Sequence, residues 1–294
     1  GTSQINVSTQ PNDIIIPIGD KLPAQSTGFI KYKSNLNSNT PVCIDPLNPS
    51  EAERTKGFVH VTSIRAYDSK GNTHEVVLEM NKVAENKWRV VAKVPGSVEG
   101  SVKSDIGNPT PDAQNVFFMN FDNRGALISV EDGAGTNRDT VNQGILTANL
   151  SFNVNDGTVD GQGNAIGLQQ NIRLDLGTVG QYDGVTQFAS ETTTKAVEQN
   201  GFGMGYLESF QINDKGVVIG TYSNGVRRDL AQVSMATFVN SAGLERAGET
   251  NFRETVNSGI ANIGTAGIAG KGSIVAGALE MSNVDLSQEF TDMI

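Results

Sequence analysis

Three features of the sequence predict an all-β fold. The first is composition: 33 Gly and 28 Asn among 294 residues, with few helix formers, favour pleated segments joined by tight turns. The second is a series of short alternating or β-branched runs bounded by Asp, Asn and Gly. The third is the spacing of those runs, which suits a β-sandwich or barrel and not βαβ units. The length suits two β-rich domains. No self-similar period of about 20–50 residues emerges, which excludes a solenoid.

Composition also narrows the function. With 22 basic and 32 acidic residues the formal charge is −10 and the pI about 4.7. That disfavours a nucleic-acid partner, because phosphate binding needs concentrated Lys and Arg. A charged fraction of 18% argues against disorder, which usually requires high net charge. Glycine without a G-X-Y period excludes collagen, and no apolar run approaches the ~18–20 residues of a membrane span. A single Cys, Cys43, allows no internal disulfide. Two histidines, His60 and His74, leave little for zinc or His-based catalysis. The N-terminal residues GTSQINVSTQ lack the charged start and apolar core of a secretory signal.

The elements follow in order. Ile14 to Ile18, interrupted by Pro17 and closed by Gly19-Asp20, reads as an edge strand or an extended passage. Gly28 to Leu36 sets Phe29, Lys31 and Lys33 against Ile30, Tyr32 and Ser34, a strand. Residues 35–56 turn polar, with Pro41, Pro46 and Pro49, and read as a linker or long surface loop. Phe58 to Tyr67, a turn at 68–72 and Thr73 to Met80 form a hairpin, and Lys87 to Lys93 adds a third strand around Trp88. Further strands are expected at 115–119, 126–130, 146–154 and 169–176, separated by Asp- and Gly-containing turns. Residues 190–200 read as a polar connection. Strands resume at 206–212, 217–222 and 227–238, and 241–276 is a Gly-, Ala- and Asn-rich, lightly packed stretch. At the end, Ser282 and Asp285 fit a capping box. Leu286, Phe290, Met293 and Ile294 then fall on one helical face. The pattern stops without a C-cap, and a helix this short is marginal alone, so the chain is expected to be a fragment cut inside a longer helix.

Few residues carry chemistry. Nucleophilic catalysis needs Ser or Cys near a His and an acid, yet both His lie in the hairpin and no G-x-S-x-G occurs. Strand histidines with satisfied or solvated rings are the simpler reading. Asn155 to Gly161 is spaced like a calcium loop but lacks the closing bidentate acid, with Leu168, Gln169 and Gln170 downstream; it reads as turn chemistry. Gly201 to Gly205 does not sit between a strand and a helix start as a phosphate loop would, and reads as a flexible hinge. The acidic residues mostly fall in solvated turns. Cys43 differs. A lone Cys is ordinarily a small buried hydrophobe, but Thr40 to Pro46 is a polar, proline-bounded stretch that predicts an accessible thiol. An exposed thiolate is nucleophilic, and a cysteine can also lose sulfide by β-elimination, leaving an alkene that an amine attacks. Lys31 and Lys33 lie about a dozen residues upstream.

The segment from Gly277 to Ile294, with Gly277-Ala278-Leu279-Glu280 and Ser282-Asn283-Val284-Asp285-Leu286, resembles the approach to the C-terminal helix of bacterial flagellar axial proteins. The hook family is singled out by Ala66 to His74, which resembles its Tyr-Asp-Ser-x-Gly-Asn-x-His hairpin, and by Lys87-Trp88. Tyr206 to Asn224, Phe238, Ala242-Gly243-Leu244 and Gly259 to Gly270 are similar to its later strands and glycine-rich arm. The resemblance spans essentially the whole chain, is weakest over 95–195, and is closest in character to spirochaete members.

That resemblance implies a structural, non-enzymatic subunit of a flexible helical tube that transmits motor torque as a universal joint. Its implied partners are other copies of itself, the rod, the hook–filament junction proteins and the hook cap. No cofactor, metal, small-molecule substrate, nucleic acid or membrane span is implied. The implied location is the flagellar hook, periplasmic in a spirochaete, reached without a cleaved signal peptide. A discontinuous inner β-domain maps to 1–33 and 200–294, with the start of the C-terminal helix, and an inserted outer β-domain to 34–199. The usual N-terminal segment is absent, so the isolated fragment is expected to be monomeric. Cys43 is similar to the spirochaete cysteine that joins a lysine of a neighbouring subunit as lysinoalanine, by self-catalysed loss of sulfide and addition of a neutral amine. Lys31 is the first choice for that lysine and Lys33 the second; the sequence does not separate them. Three other readings stand beside this one. Another axial protein, of the distal rod or junction, is disfavoured by the length of the inserted domain. An adhesin or carbohydrate-binding module is disfavoured by 6% aromatic residues and one Trp, which make a poor platform. A hydrolase on a β scaffold lacks a His–acid constellation.

Overall fold

The structure, a computed structural model, describes residues 13–104, 115–133, 141–142, 144–248, 251–278 and 286–294. The first strands are β1 (Lys21–Leu22), β2 (Phe29–Asn37), β3 (Val59–Tyr67), β4 (Thr73–Ala84) and β5 (Lys87–Lys93). Then come β6 (Lys103–Ser104), β7 (Val116–Phe121), β8 (Leu127–Asp132), β9 (Val141–Asn142) and β10 (Ile145–Val154). They are followed by β11 (Leu168–Thr178), β12 (Val185–Phe188), β13 (Lys195–Gln199), β14 (Gly205–Ile212) and β15 (Val217–Tyr222). The last are β16 (Arg227–Gln232), β17 (Met235–Thr237), β18 (Glu245–Gly248), β19 (Asn251–Arg253) and β20 (Asn262–Gly264). Two short α-helices, α1 (Glu51–Thr55) and α2 (Leu286–Met293), and a 3-10 turn at Ser241–Gly243 complete the described elements. The fold is nearly all β, as the turn-rich composition requires.

The chain divides into two compact units, one of residues 1–22 and 205–294, the other of residues 23–204. The boundary at 33/34 drawn from the sequence falls inside β2, which lies whole in the second unit.

The second unit holds two sheets. One is antiparallel, in the order β3-β4-β5-β7-β8. The other is mixed, in the order β12-β2-β11-β10-β6, with β13 also pairing β2 and β9 pairing β10. Strand β2 runs parallel to β11 and β12 and antiparallel to β13. Alternation along the strands makes one core: Val76, Leu78 and Met80 of β4 point inward with Phe117 and Met119 of β7 and Leu150 and Phe152 of β10. Burying a side chain of this size contributes about 1.5–3 kcal/mol each, so this face holds the unit together.

Trp88 sits in that core at 1% exposure, and a buried indole N–H needs an acceptor. It donates to Gln187 Oε1 at 2.7 Å. Gln187 Nε2 donates to Asn86 Oδ1 at 2.8 Å, and Asn86 Nδ2 to Asn123 Oδ1 at 2.8 Å. Asn86 occupies the left-handed region at φ 56 in the β4–β5 turn, a conformation Asn tolerates better than most residues. Gly125 approaches the same network: a Cβ there would meet the Gln187 carbonyl oxygen at 2.2 Å.

The predicted hairpin, the strand at Trp88 and the strands near 116, 127, 145 and 168 are all present. Other expectations change. Of the two readings of Ile14 to Ile18, edge strand or extended passage, the strand is not formed, and ladder pairing begins at Lys21. The stretch 35–56 contains α1, whose Ser50 and Glu53 form a capping box. The polar connection at 190–200 contains β13, and β12 has no counterpart in the sequence reading. Both strands are short, and β2 offers them an edge to pair with. The Ser282 capping box lies outside the described residues, while α2 begins at Leu286.

The first unit is built differently. Its sheet β1-β14-β15-β16 is accompanied by the pairs β17–β20 and β18–β19. The buried apolar residues it contributes are Leu22, Leu207, Val218, Tyr222 and Ala266. Phe252, Val256, Ile260 and Val275 are exposed, as are Phe290 and Met293 of α2. Of the apolar stripe read from the sequence, Phe290, Met293 and Ile294 are exposed.

Trp88→Phe should keep an aromatic ring in the core but remove the second ring of the indole and leave Gln187 Oε1 without its donor. Urea unfolding should show a loss of about 1–3 kcal/mol; an unchanged midpoint would mean that the amide chain does not hold the two sheets.

Candidate functional site

Around Cys43 the sequence folds into a clasped loop. Ser50 caps α1, and the Glu53 carboxylate accepts from Ser50 N–H at 2.8 Å and Ser50 Oγ at 2.7 Å. The other Glu53 oxygen accepts the Ile44 N–H at 2.7 Å, so one side chain closes the loop from both ends. Asn81 Nδ2 donates to the Pro46 carbonyl at 3.1 Å, and Cys43 N–H donates to the Lys82 carbonyl at 3.3 Å. Cys43 is consequently buried at 2% exposure, while Ile44 beside it is 94% exposed. The accessible thiol expected from the proline-bounded composition is thus corrected: the loop is on the surface, but its hydrogen bonds turn the sulfur inward.

The electrostatics follow from that placement. Burial pushes the Cys43 thiol up, and the Glu53 carboxylate acts in the same direction; a hydrogen bond with Asn81 and the charge of Arg54 oppose them. A thiol so placed is held in its neutral, poorly nucleophilic form. Glu53 itself lies below the usual carboxylate range, chiefly because of the Ser50 hydroxyl and then the Ile44 and Ser50 N–H groups.

Lys31 and Lys33 lie on β2, half-buried on the face opposite Ile30 and Tyr32. Lys31 is in register with Asp175 on one side and Glu198 on the other, and Lys33 with Lys195. Neither lysine is among the groups that act on the Cys43 thiol. The lysine whose backbone adjoins Cys43 is Lys82, buried, with Nζ donating to the Ser38 carbonyl at 2.7 Å. Sequence reasoning missed Glu53, Asn81 and Lys82. The Ser50-x-x-Glu53 spacing after Pro49 was a usable sign for the first; the other two are brought to the loop by strand β4 and had none.

The remaining candidates resolve into structure. His60 Nε2 contacts the Thr194 carbonyl oxygen at 2.6 Å. His74 Nε2 donates to Asp68 at 3.1 Å, and Asp68 also accepts from Lys70 N–H, Asn72 N–H and Asn72 Nδ2 at 2.8–2.9 Å. The Tyr-Asp-Ser hairpin motif is therefore a turn closed on its own aspartate. Burial works to raise the Asp68 pKa, but the hydrogen bonds from Asn72, His74 and Lys70 outweigh it and leave the carboxyl below its ordinary value. In the calcium-like stretch, the Thr158 side chain, Lys70 and the Thr158 N–H take Asp156 down to about 2, and Asp160 accepts from Asn164 and Gln162. No group of three His, Cys, Asp or Glu residues able to hold a metal occurs among the described residues. Gly201, read as a hinge, has a packing reason: a Cβ there would lie 2.2 Å from Thr27 Oγ1.

Two measurements check this geometry. Native Cys43 should react with a thiol reagent at least ~100-fold more slowly than in the unfolded chain, and Glu53→Gln should narrow that gap. Equal rates in native and unfolded protein would refute the burial. Asp68 should also shape acid unfolding. Because its folded pKa is lowered, its contribution is full above the unfolded value of about 3.9 and is lost as pH falls through the lower folded value. Asp68→Ala should cost about 1–3 kcal/mol at neutral pH and flatten the stability curve below pH ~4; parallel curves for the two proteins would contradict the assignment.

Comparison with known proteins adds a family. The flagellar basal body protein FlaE D2 domain matches residues 35–202. The flagellar hook protein FlgE of Treponema pallidum is 41% identical over 298 residues, covering 100% of this chain and 63% of that protein. The flagellar hook protein FlgE of Borreliella burgdorferi is 40% identical, covering 100% of this chain and 61% of its own length. That of Escherichia coli is 31% identical over 99% of this chain and 62% of its length. The chain thus spans about three fifths of the length of these relatives.

Proposed function

Since this chain belongs to the flagellar hook protein family that carries the FlaE D2 domain, we propose that it is the structural subunit of a bacterial flagellar hook. The observation that carries this reading is similarity to hook proteins along its whole length, at 40–41% identity to the two spirochaete relatives. In this reading the subunit polymerises with copies of itself into a flexible helical tube, which joins the rod to the filament through its neighbouring axial proteins and bends while transmitting torque. The two units correspond to a discontinuous inner domain and an inserted outer domain. Its place is the hook of the flagellum, periplasmic in a spirochaete. The apolar side chains left open in the first unit, among them Phe290 and Met293, support assembly, because exposed apolar surface of this kind ordinarily marks an interface. A distal-rod or junction role is the second reading, and the hook proteins among the relatives favour the first.

The covalent part of the proposal concerns Cys43. A base removes the Cys43 Cα proton and hydrosulfide leaves from Cβ, giving dehydroalanine. The neutral amine of a lysine on a neighbouring subunit then forms an N–Cβ bond, and a proton returns to Cα. Lys31 remains the first choice and Lys33 the second. Burial of Cys43 adds a condition: the loop held by Glu53 must open before a neighbour's amine can reach the β-carbon. Cross-linked subunits would make a torque coupling that cannot dissociate.

Electron microscopy of the full-length protein should show curved tubes of uniform diameter; persistent monomers would refute the hook reading. On denaturing gels, hooks from the wild type should run as high-mass ladders that Cys43→Ala abolishes. Lys31→Arg and Lys33→Arg, compared side by side, identify the acceptor. Ladders that survive Cys43→Ala would end the cross-link proposal while leaving the hook reading intact.

A further inference from the structure

We propose that a polar cavity in the second unit binds a neutral oligosaccharide, an activity that goes beyond the hook reading and does not depend on it. The cavity has a volume of about 300 Å³, and Asn86, Asp122, Asn123, Arg124, Gln187 and Phe188 are in its lining. Small-molecule sites begin at about that volume. Phe188 is 44% exposed, and Tyr182, 55% exposed, packs on it with ring centroids 5.7 Å apart and planes tilted by 38°. An aromatic wall thus stands beside amide, carboxylate and guanidinium groups. The one Trp is in the core and offers no platform; Tyr182 and Phe188 supply one.

Both sides of the cavity are held in place before any ligand arrives. On one side the turn between β7 and β8 closes on Asp122, whose Oδ1 accepts the Arg124 and Ala126 N–H groups at 2.9 and 2.8 Å. On the other, Gln187 N–H donates to the Gly125 carbonyl at 2.9 Å, and Phe188 N–H to Asn35 Oδ1 at 2.7 Å. Asn123, Asn86 and Gln187 form a chain of amides that ends on the buried Trp88 N–H. Glycine at 125 lets the two sides meet, since a Cβ there would lie 3.1 Å from Phe188 Cε1. Anchoring of this kind lowers the ordering cost of binding. The Asn123 bond to Asn86 runs through Oδ1, and the amino group of an Asn is a separate donor.

The chemistry of the lining selects the ligand. Glu85 also borders the cavity, so two carboxylates, Glu85 and Asp122, face one guanidinium, Arg124, which disfavours an anion such as a phosphate. So many polar groups disfavour an apolar ligand, because it would desolvate them without replacing their bonds. Hydroxyl groups both donate and accept, so a sugar matches a mixture of amides, carboxylates and guanidinium. The C–H face of a sugar ring is apolar and can lie on an aromatic ring such as Phe188 or Tyr182. A peptide would instead use a free strand edge or a long groove.

The test is calorimetric titration of the full-length, unpolymerised protein with chitotetraose, cellotetraose and maltotetraose, and with inositol hexakisphosphate as an anionic control. At least one of the neutral sugars should bind with a Kd of about 1 mM or tighter, and the anion should not bind. Tyr182→Ala and Asn123→Ala should each weaken binding at least about tenfold, whereas Tyr182→Phe, which keeps the ring, should bind as the wild type does. Melting temperature separates lost binding from lost folding; if Asn123→Ala lowers it, the exposed Tyr182 and its two variants decide. Absence of binding by all three sugars at about 10 mM would overturn the inference, as would binding that Tyr182→Ala leaves unchanged. A wild type that binds no sugar while Tyr182→Ala blocks tube formation would make this surface a contact between subunits, and would overturn the inference too. A wild type that binds sugar but never forms tubes would sink the hook reading and leave this inference standing.

Discussion

The second unit depends on one shared core and on the way a single polar group is carried into it. Trp88 supplies the largest buried side chain, and its N–H cannot be left without an acceptor in a dry interior. Gln187 meets that need from β12, a strand that sits in the other sheet. From there Gln187 engages Asn86, whose left-handed backbone turns β4 into β5, and Gly125 lets the Gln187 carbonyl approach closely. Packing, turn geometry and hydrogen bonding thus meet at one point. The two sheets are held in register by a directional interaction as well as by apolar area, which by itself fixes no register.

The first unit obeys the opposite logic. Its buried apolar residues are few, and it leaves Phe252, Val256, Ile260, Phe290 and Met293 in solvent. A two-stranded pair such as β17–β20 has little independent stability, and on the hook reading proposed above the exposed residues are surfaces that assembly would cover. If the chain assembles as proposed, that division has a use: a unit with a closed core would keep its shape through assembly, and a unit with open apolar faces would be completed by it.

Cys43 shows how far composition can mislead about exposure. Prolines and polar residues marked 35–56 as a linker or long surface loop, and its middle, 38–50, is a loop between β2 and α1, but whether a side chain in such a loop faces outward depends on the loop's hydrogen bonds. Glu53 pulls on the Ile44 N–H, Asn81 on the Pro46 carbonyl, and the backbone of Lys82 on Cys43 itself. Those partners are separated from Cys43 by 10, 38 and 39 positions in the chain. Ser50-x-x-Glu53 was legible as a helix start; Asn81 and Lys82 were not, because nothing local ties β4 to this loop.

What the sequence determined by itself is the β class, the long strands and the 59–80 hairpin, since alternation and turn residues act within a few positions and are written locally. The motif at Tyr67 to His74 was also visible, as was the family it belongs to. Only tertiary structure decided that β12 and β13 are strands and that Cys43 is buried. Val185–Phe188 and Lys195–Gln199 carry weak strand signals of their own and extend because β2 presents unpaired backbone groups to them. Burial and pairing of this kind arise from residues distant in sequence. An all-β chain, whose ladders join such residues, conceals more of its sites from sequence reading than of its strands.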